Sequence, residues 1–585
     1  MTAPRTTIQP ATTNIEPNSY DSSASSAPSP KDHRPHSRNL YGAAPARQRR
    51  ALNLGLISLG QSLGRMEDLT VLSFIGLTLA LLLAFGFEFV NGFHDTANAV
   101  ATVIYTRTLA PTPAVVWSGM MNLLGVLVSS GAVAFGIVAL LPVELVIHAG
   151  SGPGYAMVFA MLVSAIIWNV GTWWRGLPAS SSHTLIGAIM GVGLMNSLMS
   201  PGHVFGDGVN WGKVQDTVVA LLVSPLIGFF VAGALLLLAK VLIKYPALFK
   251  EPPADQPPPW PVRALLFLTC TGVSFAHGSN DGQKGMGLIM LILVGVLPGV
   301  YAVDLGLTGK PVQAILSSNK AVAAIIDKRE QASTGGVQVA STSLVAGMVA
   351  AIPPNAAMAA AASSPADDKD EAAISDYLKS DGKLTSQTFA ALAAKNQEIL
   401  RFLDGKNSLG ELPKAERKPL RTDTYLVSSA LDKMTKNKVF SGADLDAIKT
   451  YRKTLDKLTK FIPLWVKIAI AFALGLGTMI GWKRIVVTVG SKIGKAHLTY
   501  GQGASAELVA YATIQGADLL GLPVSTTHIL SSGVAGTMAA NHSGLQGKTL
   551  RDILLAWVLT LPVCVFMGSM LFAAGLLLLA KIGIK

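Results

Sequence analysis

The most regular pattern in the chain is a series of long apolar segments that begins at Leu69. These segments lie near residues 69–90, 113–141, 155–175, 214–243, 262–277, 286–303, 461–482, 503–520 and 550–583. Because a helix needs about 20 apolar residues to cross a bilayer, they predict membrane-spanning helices. Two further apolar segments, 177–199 and 522–540, begin with polar clusters and predict broken or re-entrant helices. We therefore expect an all-α polytopic membrane protein with about 10–12 membrane segments.

Two polar stretches flank or interrupt this pattern. Residues 1–65 are rich in Ser, Pro, Thr and Ala and have no hydrophobic period, which predicts a disordered tail. Residues 309–460 are mixed in charge, and 385–404 and 424–460 have helical periodicity, which predicts a polar helical loop facing water. The loop has no Gly-rich phosphate loop, metal-ligand spacing or nucleophile elbow. We therefore expect an insertion and not an enzymatic domain.

Composition agrees with a membrane protein. Half of the 585 residues are apolar, 14% are charged and the mean hydropathy is +0.46, whereas a soluble chain carries about 25% charged residues. The net charge of +13 lies mostly in tails and loops, so we interpret it as Lys and Arg that flank the membrane and not as a nucleic-acid surface. Cys270 and Cys564 lie in apolar segments and imply neither a disulfide framework nor a zinc site.

An internal repeat organises the apolar segments. The motif NGFHDTAN (91–98) follows an apolar segment in the first half, and AHGSNDGQK (276–284) follows one in the second. Further along, GLPASSSHT (176–184) and GLPVSTTH (521–528) recur in the same order. Polar interruptions at matching places in two halves indicate the binding site of a transporter. The alternative is a set of unrelated helix caps with similar turn chemistry.

The repeat and the polar stretches define the expected domains. These are a tail over 1–65, a first transmembrane repeat over 66–245, a linker with the start of the second repeat over 246–308, the polar loop over 309–460 and the rest of the second repeat over 461–585.

The two Gly-Leu-Pro motifs predict a binding site for an anion. Pro178 and Pro523 suit the first turn of a helix, and the hydroxyl residues after them suit N-caps. A helix N-terminus presents free N–H groups and about half a positive charge. Two such N-termini that face each other would surround a tetrahedral oxyanion. A plain Ser-capped helix would give the same local sequence, so the duplication is the stronger part of the signal.

The other two motifs each place an acid near the end of an apolar segment. Carboxylates inside a membrane are costly and are usually functional, which applies to Asp95 and Asp281. Since a carboxylate repels an anion unless a cation or a proton lies between them, we expect symport. Asn98 would share a helix face with Asp95 and add an amide oxygen suited to Na⁺. The alternative for either Asp is a cap on the next half-helix.

Other titratable residues are weaker candidates. Glu88 lies seven residues before Asp95 on the same helix face, and either lines the same cavity or pairs structurally. Glu507, in another apolar segment, is an equal candidate. His183 and His528 could shuttle protons, although a histidine at such a place more often packs against a neighbouring turn.

The four motifs resemble those of the Pit-type inorganic phosphate transporters, in particular the bacterial low-affinity branch. The resemblance covers roughly residues 69–310 and 460–583. It implies an all-helical fold of two inverted-topology repeats in the cell membrane, and phosphate uptake driven by Na⁺ or H⁺. By position, it implies ion or substrate roles for Asp95, Asn98, Asn280 and Asp281. It implies phosphate-binding roles for seven hydroxyl residues, namely Ser180, Ser181, Ser182, Thr184, Ser525, Thr526 and Thr527.

The chain departs from the generic family motif at two places. The first motif reads His94-Asp95 where the family has Asn-Asp, and the second ends in Lys284 where the family has Asn. Lys284 would be a tethered cation at the place where Asn98 could help to hold Na⁺. Two carboxylates and a doubly charged phosphate sum to about −4, and two helix N-termini offset about +1. We therefore expect H⁺-coupled uptake, with a neutral metal–phosphate complex as a variant. The alternative is a Lys284 that turns to a lipid headgroup or a distant acid.

The leading interpretation is a secondary active transporter that moves inorganic phosphate together with a cation. The alternatives are Na⁺-coupled symport, a permease for sulfate or another oxyanion, and a passive anion channel. We expect neither an enzyme nor a bound cofactor, since the polar loop offers no nucleophile–base pair or metal cluster. The expected partners are phosphate, H⁺ or Na⁺ and the bilayer, and the sequence leaves a homo-oligomer open.

Overall fold

The chain is almost entirely helical where its structure, a computed structural model, describes it. The described residues are 70–95, 97–199, 205–206, 209–253, 257–333, 365–379 and 382–583. Within these ranges the elements are helices joined by turns, without a β-strand. The expected all-α class is therefore confirmed. The tail predicted over 1–65 lies outside the described residues, as do residues 334–364 of the polar stretch.

In the described part of the chain, eight helices precede the motifs of the second half. They are α1 (Val71–Asp95), α2 (Ala97–Tyr105), α3 (Pro111–Val128), α4 (Ala132–Val138), α5 (Val143–Ile147), α6 (Gly152–Trp174), α7 (Ser181–Met199) and α8 (Trp211–Leu242). A 3₁₀ turn at Pro246–Phe249 follows them.

The remaining described helices are those that lead into the polar stretch, those within it and those that follow it. α9 (Trp260–Val296) and α10 (Pro298–Tyr301) lead into the polar stretch. The polar stretch contains α11 (Lys310–Ser333), α12 (Pro365–Leu378), α13 (Ser386–Leu403), a 3₁₀ turn at Leu409–Glu411, α14 (Lys414–Lys436) and α15 (Gly442–Thr459). The last group contains α16 (Leu464–Met479), α17 (Lys483–Val487), a π-helical turn at Thr488–Lys492, α18 (Tyr500–Leu519), α19 (Thr526–Ala540) and α20 (Gly547–Lys581).

Six of the described helical segments are long and apolar enough to cross a membrane. They are Val71–Tyr105, Pro111–Val128, Gly152–Trp174, Ser181–Met199, Trp211–Leu242 and Gly547–Lys581. The number rises to seven if α15 and α16, which meet at a 76° bend, form one broken span. α8 and α20 expose large apolar side chains such as Phe230 and Phe566, as expected of helices in contact with lipid. α9 and α18 carry several buried polar side chains, which lowers their mean hydropathy.

Helices of the two halves pack on each other in exchanged pairs. α1 packs against α16 as α3 packs against α9, and α8 packs against α19 as α7 packs against α20. Glycines permit this close approach, because a Cβ at Gly92 would clash with the Leu474 carbonyl and one at Gly125 with the Phe275 carbonyl. An internal two-fold repeat would produce this exchange of partners. The inverted orientation of the two repeats stays a prediction.

The helices of the polar stretch surround a core of their own. Buried residues such as Leu392, Leu431 and Tyr451 belong to it. The Arg421 guanidinium ties this group to the rest of the chain by donating to the carbonyls of Ala302 at 2.9 Å and Thr459 at 3.0 Å. Burial lowers the pKa of Arg421 to about 10. One arginine thus fixes both the point where the chain enters the polar stretch and the point where it leaves.

Candidate functional site

Asp95 lies where the helices that begin at the two Gly-Leu-Pro motifs meet. It lies in α1 and is buried. Its Oδ2 accepts a hydrogen bond from the Ser181 hydroxyl at 2.7 Å, and its Oδ1 accepts one from the Thr527 hydroxyl at 2.5 Å. Ser181 begins α7, and Thr527 lies in the first turn of α19. One carboxylate is therefore held by one hydroxyl from each half of the chain.

The starts of α7 and α19 have the same capping arrangement. Ser180 Oγ accepts from the His183 N–H at 3.2 Å, and Ser525 Oγ accepts from the His528 N–H at 3.1 Å. Each cap serves one of the first N–H groups of its helix and leaves others free for a ligand. The expectation that Pro178 and Pro523 occupy the first helical turn is wrong, because both precede the capping serine by two residues.

Asp281 lies inside the continuous helix α9 and forms a buried ion pair. Its Oδ2 is 2.8 Å from Lys284 Nζ and 3.4 Å from His277 Nε2. The Lys284 ammonium also donates to the Ser181 hydroxyl at 3.4 Å. Lys284 therefore points into the region of the two N-termini, and not to a lipid headgroup or a distant acid.

The carboxylates of the two repeats converge. One ligand atom each from Asp95, His277 and Asp281 lie within 4.8 Å of one another, and all three residues are buried. Carboxylate oxygens suit a hard cation such as Na⁺, while an imidazole nitrogen suits a transition metal or accepts a proton. The group, which we call the acid cluster, adjoins the hydroxyls of α7 and α19 through Asp95.

The other predicted hydroxyls divide by their partners. Ser182 donates to the Val524 carbonyl at 2.7 Å and so links the two motifs. Thr184 donates to Asn169 Oδ1 at 2.9 Å. Thr526 Oγ1 is buried and has no hydrogen-bond partner among the described residues. Ser181 and Thr527 therefore contact Asp95, while Thr526 is available to a ligand.

Comparisons with known proteins identify the family of the chain. Residues 91–568 match the phosphate transporter family. The chain belongs to that family. It is 39% identical over 519 residues to the low-affinity inorganic phosphate transporter PitB of Escherichia coli K12, covering 86% of this chain and 98% of the relative. PitA of the same organism is 40% identical over 513 residues, with coverage of 85% and 96%.

Two more distant similarities were also found. The probable low-affinity inorganic phosphate transporter of Bacillus subtilis 168 is 25% identical over 495 residues, covering 84% of this chain and 95% of the relative. A solved structure described as the sodium-dependent phosphate transporter is 17% identical, covers 86% of this chain and 98% of its own, and has a TM-score of 0.44. Membership of the family makes the chain a multi-pass protein of the cell membrane and a transporter, not an enzyme.

Several other predicted residues lie around the acid cluster in this family member. Glu88 Oε2 accepts from the Asn91 amide at 3.2 Å, and a Cβ at Gly285 would clash with the Glu88 side chain. Because Gly285 adjoins Lys284, Glu88 lies beside the ion pair. Asn280 donates to the Leu522 carbonyl at 3.3 Å, and its Oδ1 is buried without a partner among the described residues.

Glu507 and Asn98 differ from this group. Glu507 is buried in α18, where both of its carboxylate oxygens accept hydrogen bonds, from Thr102 and Thr269. It therefore sits in a hydroxyl-lined environment of its own and not against the twin helix starts. Asn98 belongs to α2, but its side chain is outside the part of the chain that the structure describes.

Three histidines have contacts that local sequence patterns indicate only weakly. His277 is part of the acid cluster, and its position four residues before Asp281 on one helix was the available signal. The His183 and His528 rings, with centroids 4.5 Å apart, pack at a tilt of 39° just behind the helix starts, and His528 stacks on Trp557 at 4.0 Å. Pairing of two imidazoles from different halves was not predictable from spacing. Their proposed proton shuttling stays a prediction.

Proposed function

We propose that this protein is a symporter that moves inorganic phosphate together with a cation, with H⁺ favoured over Na⁺. The observation that carries the proposal is the convergence of two capped helix starts and two carboxylates, one of each from each half. Helix starts with hydroxyl side chains bind oxyanions, and intramembrane carboxylates bind cations or protons. The named relatives are inorganic phosphate transporters, which supports phosphate as the oxyanion.

The phosphate site would lie between the starts of α7 and α19. Its donors would be backbone N–H groups and the hydroxyls of Ser181, Thr526 and Thr527, while Ser180 and Ser525 act as helix caps. Asn280 could contribute through its amide, since its Oδ1 is unpartnered. Ser182 and Thr184 would position the two helices through Val524 and Asn169.

The ion pair supports coupling to protons. Lys284 supplies one fixed positive charge, which it shares with Asp281 at 2.8 Å. Asp95 and a doubly charged phosphate then need further positive charge from solution. Protons bound to Asp95, to phosphate or to both would supply this positive charge. A neutral metal–phosphate complex would need less positive charge from solution. Glu88 and Glu507 are further candidates to carry a proton, because both are buried carboxylates inside the membrane part of the chain.

Na⁺ coupling is the second candidate, and the acid cluster favours it. The close approach of Asp95 and Asp281 oxygens within 4.8 Å would suit a Na⁺ ion between them. Lys284 opposes it, because its ammonium already occupies one side of Asp281. A permease for sulfate or another oxyanion is the third candidate, since these anions share tetrahedral geometry.

Uptake of labelled phosphate into proteoliposomes containing the purified full chain tests the proposal. We expect phosphate to accumulate above its external concentration when a cation gradient is imposed, and excess sulfate to compete weakly. Arsenate should compete strongly, since it matches phosphate in charge and shape. Uptake that only equilibrates would indicate a channel, and equal competition by sulfate would indicate a general oxyanion permease.

A further inference from the structure

The hydroxyls proposed to bind phosphate already bind an anion that belongs to the chain. Both oxygens of Asp95 accept hydrogen bonds from the two helix starts, at 2.7 Å from Ser181 and 2.5 Å from Thr527. A carboxylate and a phosphate present the same kind of acceptor oxygen to such donors. A phosphate placed between α7 and α19 would need the same two hydroxyls.

The corresponding acid of the second half behaves differently. Asp281 is in contact with Lys284 and His277, both on its own helix, and α9 continues through it for fifteen residues to Val296. Besides His94 on its own helix, Asp95 instead contacts the hydroxyls of Ser181 and Thr527, which belong to two other helices. The acid that engages the two helix starts is therefore Asp95 and not Asp281.

We infer that Asp95 is an internal occupant of the oxyanion site, which phosphate must displace from Ser181 and Thr527. This inference rests on the proposed function. Displacement would link the binding of phosphate to the binding of the coupling cation. A cation or proton that binds the Asp95 carboxylate weakens the hydrogen bonds that this carboxylate accepts from the two hydroxyls. The charged and titratable groups that face Asp95 are His94 on its own helix, Asp281, Lys284 and His277 on α9, and His183 and His528 at the helix starts. Simple charge repulsion by Asp95 would require no shared hydroxyls, so the two mechanisms make different predictions.

A double-mutant cycle on phosphate binding distinguishes displacement of Asp95 from simple charge repulsion by it. The cycle uses the full-length protein, labelled inorganic phosphate, and one fixed pH and salt concentration. Asp95→Ala should tighten phosphate binding by about tenfold or more, since it removes the competing carboxylate from both hydroxyls and leaves Ser181 with Asn91 Oδ1, at 2.6 Å, as its other acceptor. Thr527→Val should weaken phosphate binding by less than about threefold in the natural background. There the change removes a donor to phosphate but also removes a hydrogen bond that holds the competing Asp95 carboxylate in the site. In the Asp95→Ala background the same change should weaken binding by about tenfold or more.

The chain offers a matched control. Ser182 occupies the position in the first motif that Thr527 occupies in the second, but it donates to the Val524 carbonyl. Ser182→Ala should therefore have the same effect in both backgrounds. Ser181→Ala should repeat the background dependence of Thr527→Val. If Asp95→Ala does not fold, Asp95→Asn keeps the shape with a weaker acceptor and should show a smaller effect of the same sign.

Two outcomes would overturn the inference while leaving the proposed function intact. One is phosphate binding that does not tighten in either Asp95 variant, and the other is an equal effect of Thr527→Val in both backgrounds. Failure of the natural protein and all its variants to bind phosphate would instead count against the proposed function.

Discussion

At the scale of single residues, the site depends on which groups engage the two carboxylates. Each acid contacts one imidazole, His94 for Asp95 and His277 for Asp281. Beyond that, Asp95 is bound by hydroxyls from two helix starts and Asp281 by the Lys284 ammonium, although the repeat places the two acids at equivalent positions. This asymmetry follows from Lys284, which stands where the first repeat has Asn98. The two acids should therefore both be needed, but for different reasons.

Replacing either acid by its amide tests this. Asp95→Asn and Asp281→Asn should each nearly abolish phosphate uptake, because an amide neither binds a proton nor balances a cation. Asp281→Asn should in addition leave Lys284 buried without its ion-pair partner, which costs about 3–5 kcal/mol. Uptake per inserted protein and thermal unfolding in detergent would be measured together. Near-normal uptake by a variant would show that its carboxylate is structural.

Thr526 offers a simpler test, since its hydroxyl is buried and unpartnered. Thr526→Val should weaken phosphate binding by about 1.5–3 kcal/mol, the range for a hydrogen bond to a charged group. Thr526→Ser is the control and should bind nearly normally. A Thr526→Val protein with unchanged phosphate affinity would place the oxyanion away from α19.

Part of this residue-level arrangement could be predicted from the sequence. The Ser180 and Ser525 caps and the i,i+3 pair of Asp281 and Lys284 are local, so spacing alone makes them accessible. The contacts of Asp95 with Ser181 and Thr527 join residues 86 and 432 positions apart. Contacts of that range depend on how helices pack, and a single sequence does not specify them.

At the scale of helices, glycines determine how closely the two halves approach. Gly92 in α1 faces the Leu474 carbonyl of α16, whereas Gly86 in the same helix has no neighbouring atom within 4 Å of a would-be Cβ. The two positions lie on one helix and differ only in what they face. They provide a matched pair for the packing of α1 against α16.

Gly92→Ala should lower the thermal stability of the protein and reduce uptake, because its Cβ cannot fit without moving α16 away from Asp95. Gly86→Ala should be neutral or stabilising by up to about 1 kcal/mol, the helix preference of Ala over Gly. Unfolding temperature and uptake of the two variants would be compared side by side. Equal effects at both positions would argue against close α1–α16 packing as the support of the site.

At the scale of the whole molecule, apolar length, the repeated motifs and the polar stretch were readable from the sequence. The exchange of helix partners between halves was not, because nothing local indicates that α7 packs against α20 or α8 against α19. The same holds for Arg421, which donates to carbonyls at both ends of the polar stretch. Such features arise when distant segments meet in the folded chain.

The central claim is that phosphate moves with protons because Lys284 takes the place of a second Na⁺ ligand. The most direct measurement is labelled phosphate uptake into proteoliposomes at fixed pH with Na⁺ replaced by choline, for the natural protein and for Lys284→Asn. We predict that the natural protein keeps its uptake and responds to an imposed pH gradient. Lys284→Asn should retain uptake only when Na⁺ is present. A large loss of uptake by the natural protein in choline would contradict the account.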